Sequence, residues 1–257
     1  MTTTAGNIVC DLDGVVYIGA TSIPGAGEAL RALEARGYRL IFATNAPIRT
    51  AAEVARHIAA VSGYPAREEQ VITSGMAAAA LLGPEGGPVL VIGERGLGAT
   101  LAGAGLALTA DPDSARAVVV GLDRELTFDH LAAATRAVLR GARLVACNRD
   151  ATYPTESGLL PGGGAIAAAI EVAGGREAEV AGKPYAPMTA AIHLALGPGP
   201  TWVVGDRPET DLALGRDQGW TTVLVLSGVT SDPAAVAEGL RPDLVLASLA
   251  DLPALLP

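Results

Sequence analysis

Aromatic residues are scarce in this 257-residue chain, 4% of the sequence, although half of all residues are hydrophobic. Alanine and glycine dominate instead, so any core must be packed from small and aliphatic side chains. Basic residues are also short. Lys and Arg total 18 against 27 Asp and Glu, a formal net charge of −9. That balance argues against nucleic acid and anionic membranes as partners, since both demand basic patches. A small anionic substrate stays open, because a bound cation or one lysine acts locally. Only two cysteines occur, Cys10 and Cys147, each inside an apolar run. No disulfide framework can be built from them, and buried, reduced thiols are expected. The three histidines, His57, His130 and His193, fall on predicted helices and share no metal-ligand spacing. No segment reaches the roughly 18 consecutive apolar residues of a membrane span. Met1 to Asn7 lacks both a basic region and a signal-type apolar run. A soluble, cytoplasmic protein is expected.

What the chain does have is a recurring pattern of apolar runs that end in small polar or acidic residues. Ile8-Val9-Cys10 leads into Asp11-Leu12-Asp13-Gly14. Continuous apolar runs read as strands buried on both faces, and ligands in open α/β sheets gather at the carboxyl ends of such strands. Asp11 and Asp13 share a face if the strand continues, and two close carboxylates call for a cation or a shared proton. Taken alone, Asp-x-Asp-Gly is equally a turn. A second run, Leu40 to Ala43, ends in Thr44-Asn45, which offers a hydroxyl and either an anion-binding helix start or an ordinary cap. A third segment, Gly182-Lys183-Pro184, places one lysine in a nearly uncharged stretch, either a surface charge or a partner for an anion. The fourth, Trp202-Val203-Val204-Gly205-Asp206, is followed by Asp211 five residues later. Asp206 is placed to complete a hard-oxygen site of the kind Mg²⁺ prefers.

Helix and strand signals alternate along the chain, which predicts an α/β fold with a parallel sheet. Strands are expected near 39–43, 71–74, 88–92, 117–120, 143–147, 201–205, 222–226 and 243–246. Helices are expected over 26–36, 50–61, 75–82, 95–104, 128–140 and 165–173, and a further one opens near Pro187. Gly83-Pro84-Glu85-Gly86-Gly87-Pro88 is a breaker cluster and marks a boundary. The expected organisation is a Rossmann-like core split between 1–82 and 178–257, with a second α/β domain over 83–177.

Asp-x-Asp-Gly, Thr-Asn, Gly-Lys-Pro and Gly-Asp-x-x-x-Thr-Asp, in that order, resemble the haloacid dehalogenase superfamily of phosphohydrolases. The long segment between Thr44 and Lys183 is similar to the branch with a large α/β cap, which includes 4-nitrophenylphosphatases, phosphoglycolate phosphatases and glycerol-phosphate phosphatases. Val119 to Asp123 and Asn148 to Pro154 also resemble that branch. Ala46 departs from it, standing where a second Asn is common; this bears on loop contacts and substrate choice, not on Thr44.

The resemblance implies a Mg²⁺-dependent phosphomonoester hydrolase acting on a small phosphorylated metabolite. Asp11 would be the nucleophile that becomes a phosphoaspartate, and Asp13 the acid and base. The Asp11 carboxylate, the Asp13 carbonyl and the Asp206 carboxylate would hold the metal, with Asp211 in support. Thr44, Asn45 and Lys183 would bind the transferred phosphate. Asn148, Arg149 and Asp150, after a cap strand, are candidates for reading the rest of the substrate. Caps of this branch often pair, so a homodimer is within the expectation. Nucleoside monophosphates are an alternative substrate class. A regulatory phospho-acceptor module is a rival from another class, but it is smaller and carries its acceptor on a middle strand. A dehalogenase would not need Asp13, because halide leaves without a proton. An idle binding protein would not need every one of these positions filled.

Overall fold

The computed structural model describes residues 5–155 and 158–256. The chain begins with β1 (Gly6–Cys10), a hairpin of β2 (Tyr17–Ile18) and β3 (Thr21–Ser22), α1 (Ala26–Ala35), β4 (Tyr38–Thr44), α2 (Ala51–Ser62) and β5 (Val71–Thr73). It continues through α3 (Ser74–Leu82), β6 (Val89–Ile92), α4 (Arg95–Gly103), β7 (Ala117–Val120), α5 (Phe128–Leu139), β8 (Arg143–Ala146), β9 (Thr152–Thr155), β10 (Gly158–Pro161), α6 (Gly163–Gly174) and β11 (Glu179–Val180). The last part holds α7 (Ala186–Ala195), β12 (Thr201–Gly205), α8 (Ala213–Asp217), β13 (Thr221–Val225) and β14 (Leu244–Leu246). No helix among the described residues is long and apolar enough to cross a membrane.

Two compact units result. The first takes in the chain to Thr44, Ala52–Ile72, and everything from Thr189 on. Its sheet has the order β14-β13-β12-β1-β4-β5. The β1 pairings with β4 and β12, and those of β13 with β12 and β14, are parallel. All five residues of β1 are buried. A central strand covered on both faces needs apolar residues at successive positions, which is why its sequence does not alternate. Asn7 is the exception. Its amide donates to Gly197 O and Thr201 Oγ1, and its Oδ1 accepts from Gly197 N, so the buried polar group is satisfied.

The second unit comprises Asn45–Ala51 and Thr73–Met188. Its parallel sheet has the order β11-β8-β7-β6. Leu90, Val118 and Leu144 from the strands meet Val138 of α5 and Ile166 and Ile170 of α6 in one core. Ala134, Ala137 and Ala167 keep the two helices close. A Cβ on Gly174 would come within 2.7 Å of Val138, so small residues set this spacing. Thr127 opens α5 by accepting from His130 N, a cap worth about 1 kcal/mol. An antiparallel hairpin, β9 with β10, completes the unit.

These limits differ from the boundaries expected at 83 and 178. Residues 73–82 and 178–188 group with the middle of the chain, and so do 45–51. The reasons are local. β11 is hydrogen-bonded to β8 in the second sheet. Asn45 O accepts from Ser74 Oγ and from Asn148 Nδ2. Gly96 lies so close to Ile48 that a Cβ there would sit 2.3 Å from its carbonyl oxygen.

Candidate active site

β1 lies between β4 and β12. From β1 the chain winds outward through β4 to β5, and from β12 outward through β13 to β14, so the winding direction reverses between β1 and β12. Beyond the carboxyl ends of strands at such a reversal lies the crevice where open α/β sheets bind ligands. Asp11 follows β1 directly, with its N–H donating to Val204 O at 2.9 Å. Asp206 follows β12, and Thr44 is the last residue of β4.

After Asp11 the backbone turns sharply. Leu12 O accepts from Val15, Val16 and Tyr17 N–H, and Gly14 adopts φ 82 while donating to Tyr17 O at 2.7 Å. A left-handed φ favours glycine, which explains the residue after Asp13. The turn leaves the Asp13 side chain exposed.

One carboxylate oxygen each from Asp11, Asp206 and Asp211 lie within 4.8 Å of one another. Asp206 and Asp211 are both 1% exposed. Three carboxylates so close, two of them buried, repel one another unless protons or a cation intervene. Backbone donors aim two of them. Val229 N donates to Asp206 Oδ2 at 2.6 Å, and Arg207 N to Asp211 Oδ2 at 3.1 Å. Asp211 reaches the group through a single π-helical turn, Pro208–Leu212. Glycines make room. A Cβ would stand 2.4 Å from Asp206 Oδ2 at Gly14, 2.0 Å from it at Gly228, and 2.2 Å from the Asp211 carboxylate at Gly205. An all-oxygen set of this kind fits a hard divalent cation such as Mg²⁺. Asp13 lies outside the carboxylate cluster, and the sequence expectation gave only its carbonyl to the metal.

In the second unit Asn45 and Lys183 are joined directly. Asn45 Oδ1 accepts from Lys183 N at 2.7 Å, and its Nδ2 donates to Lys183 O at 3.2 Å. Lys183 is 3% exposed. Asn148, 5% exposed, donates to Asn45 O at 2.8 Å and accepts from Asp150 N at 3.1 Å. Arg149 pairs with Glu171 at 2.7 Å, and that hydrogen bond holds its guanidinium above its ordinary pKa. Burial opposes the ionisation of Glu171, but hydrogen bonds from Arg149 and Ala178 N–H outweigh it and keep the carboxyl below its usual value. Asp150 O accepts from Gly164 N at 3.0 Å, at the start of α6. Cys147 is buried, and desolvation pushes its thiol up to about 12; Cys10 is buried too. The histidines serve locally: His57 meets Gly19 O, His130 pairs with Asp123, and His193 meets Gln218.

The sequence reading missed the loop after β13. Ser227 Oγ donates to Gly14 O at 2.6 Å, and Val229 N aims Asp206. A signal was present, since Leu226-Ser227-Gly228 follows an expected strand with the same small-residue ending as the others.

Residues 8–107 match the family described as haloacid dehalogenase-like hydrolase, and residues 180–252 match the one described as HAD-hydrolase-like. Chronophin of Bos taurus is 39% identical, over 96% of this chain and 92% of its own. Among solved structures, p-nitrophenyl phosphatase from Archaeoglobus fulgidus is 34% identical with a TM-score of 0.90, covering 99% of this chain and 100% of that one. Glycerol phosphate phosphatase from Mycobacterium tuberculosis, solved in complex with magnesium, is 35% identical with a TM-score of 0.86, covering 97% of this chain and 78% of that one.

Proposed function

The chain belongs to the haloacid dehalogenase-like hydrolases, and we propose on that premise that it is a Mg²⁺-dependent phosphatase of small phosphomonoesters. One observation carries the reading: three carboxylates, Asp11, Asp206 and Asp211, converge at the carboxyl ends of adjacent central strands. Asp11 is the least buried of the three. A nucleophile must reach substrate, while carboxylates that only hold a metal can lie deeper.

The steps assigned to this chain's own residues are few, because phosphoryl transfer is chiefly positioning and charge neutralisation. Asp11 attacks phosphorus in line; the bond to the alkoxide oxygen breaks, and Asp13 gives that oxygen its proton. Asp13 then takes a proton from water as the water attacks the phosphoaspartate, which restores Asp11 and releases inorganic phosphate. Thr44 and Lys183, with the Asn45 loop, hold the phosphoryl oxygens. A bound Mg²⁺, held by Asp11, the Asp13 carbonyl and Asp206 with Asp211 beside them, would offset repulsion between Asp11 and the anionic substrate. The middle of the chain resembles the cap of the large-cap branch, and Arg149 and Asp150 within it are the candidates for reading the substrate beyond phosphate.

The test is phosphate release from 4-nitrophenyl phosphate and glycerol phosphate. Turnover is expected with Mg²⁺ and absent after chelation, and rapid quenching should trap phosphate on the wild type but not on Asp11→Asn. Turnover that survives thorough chelation would falsify the metal assignment. Normal turnover by Asp11→Asn sinks the nucleophile.

A further inference from the structure

We infer that Asn45 and Asn148 are positioning residues for Lys183, acting in series through buried hydrogen bonds. This rests on the reading of Lys183 as the cation that meets phosphate. The Asn45 side chain has one acceptor oxygen and one donor amide, and it turns both toward the backbone of Lys183, at 2.7 and 3.2 Å. It thereby grips Lys183 as a neighbouring strand would, through N–H and C=O together. That leaves the Asn45 amide engaged with protein rather than available as a phosphate ligand.

Asn45 is itself held. Its carbonyl oxygen has two lone pairs and receives two donors, Ser74 Oγ and Asn148 Nδ2, both at 2.8 Å. Asn148 uses its other end as well, accepting from Asp150 N at 3.1 Å. A buried amide with both ends committed is poorly suited to reading substrate, so Asn148 takes a different role from Arg149 and Asp150. Glycine before the lysine follows from the same packing. A Cβ on Gly182 would stand 2.4 Å from Asn45 Oδ1 and 2.4 Å from Cys147 O. The Asn45 grip and a side chain at 182 are mutually exclusive.

Lysine is a flexible point charge, so what fixes its backbone fixes where its charge is offered. A merely structural network would affect stability; this one should affect phosphate. The experiment measures inorganic phosphate binding by calorimetry with Mg²⁺ present, and KM and kcat on 4-nitrophenyl phosphate. The proteins are the wild type, Lys183→Ala, Asn148→Ala, Ser74→Ala and the double variant Asn148→Ala with Lys183→Ala. Asn148→Ala should weaken phosphate by roughly five- to tenfold and raise KM in step, yet change nothing further in the Lys183→Ala background. Ser74→Ala removes the other donor and should act in the same direction, which keeps the test alive if Asn148→Ala does not fold. Unchanged phosphate affinity in Lys183→Ala overturns the reading of Lys183. If Lys183→Ala weakens phosphate but Asn148→Ala and Ser74→Ala do not, or if the Asn148 effect is equal in both backgrounds, the positioning role is wrong.

Discussion

Gly228 shows how much of the candidate site depends on atoms that are missing. A methyl group there would stand 2.0 Å from Asp206 Oδ2, so Gly228→Ala must displace the carboxylate. Backbone strain is not the issue, since Gly228 is not among the residues with positive φ. The Mg²⁺ concentration for half-maximal activity is therefore expected to rise by about tenfold or more, as an ion that needs near-ideal octahedral geometry loses a well-placed ligand. Titration of activity against Mg²⁺ checks this; an unchanged midpoint would remove Asp206 from the metal. Asp13 is tested by its leaving group. With Asp13→Asn, phosphorylation of the enzyme should slow severely for alkyl phosphates and much less for 4-nitrophenyl phosphate, whose phenolate leaves without a proton. Single-turnover kinetics separate the cases, and equal losses count against Asp13 as the acid. At this scale Asp11 and Asp206 were legible because each ends an apolar run. Asp211 was expected beside the metal only through the family resemblance, because a π-helical turn delivers it and no periodic signal announces such a turn. The grip of Asn45 on Lys183 joins residues 138 positions apart and leaves no local trace at all.

Among elements, the outer strand β14 is pinned to β13 by more than its ladder. Asp243 Oδ2 accepts from Thr222 N at 2.8 Å and from Thr222 Oγ1 at 2.7 Å. The backbone N–H of Thr222, and then its hydroxyl, hold the Asp243 carboxyl below the usual range. A depressed pKa means that ionised Asp243 favours the folded chain. Its contribution is present above the unfolded value, near 3.9, and is lost as pH falls through the lower folded value. Asp243→Asn should thus cost about 1 kcal/mol near neutrality, kept small by solvent exposure. The gap to wild type should close below about pH 4 in denaturant melts. A gap independent of pH would mean that the charge plays no part. Helices such as α2 and α5 were readable because burial of one face imposes a period on their sequences, and β1 because burial on both faces makes it a continuous apolar run. β11 was not: it is two residues, Glu179–Val180, made a strand only by pairing with β8. The β9–β10 hairpin was missed for the same reason, its Gly158 and Pro161 reading locally as breakers.

For the whole molecule, the division at Thr73 and Met188 assigns α3 and β11 to the second unit, although the Gly83 to Pro88 cluster is the stronger breaker in the sequence. Composition marks flexible connections; contacts decide which segments pack together. The second unit is also where substrate choice is expected to lie, because Asp11, Thr44 and Lys183 deal with the phosphoryl group that all substrates share. Asp150→Ala should reorder kcat/KM among natural phosphomonoesters, by tenfold for about 1.4 kcal/mol of lost discrimination, while activity on 4-nitrophenyl phosphate falls less. An untouched ranking would move the search to the loop from Asn45 to Thr50.

Lys183 is the only lysine in the sequence, and it is 3% exposed. Amine-directed acylation therefore has two destinations on this chain, the amino terminus and one buried side-chain amine. Mass spectrometry of the digested protein turns the second into a clock for how often that side chain meets solvent. Native protein should acylate Lys183 far more slowly than its amino terminus, and inorganic phosphate should slow it further. Asn148→Ala, which slackens the backbone beneath Lys183, should speed it. One side chain in 257 residues would then report its own confinement, with no label introduced by mutation.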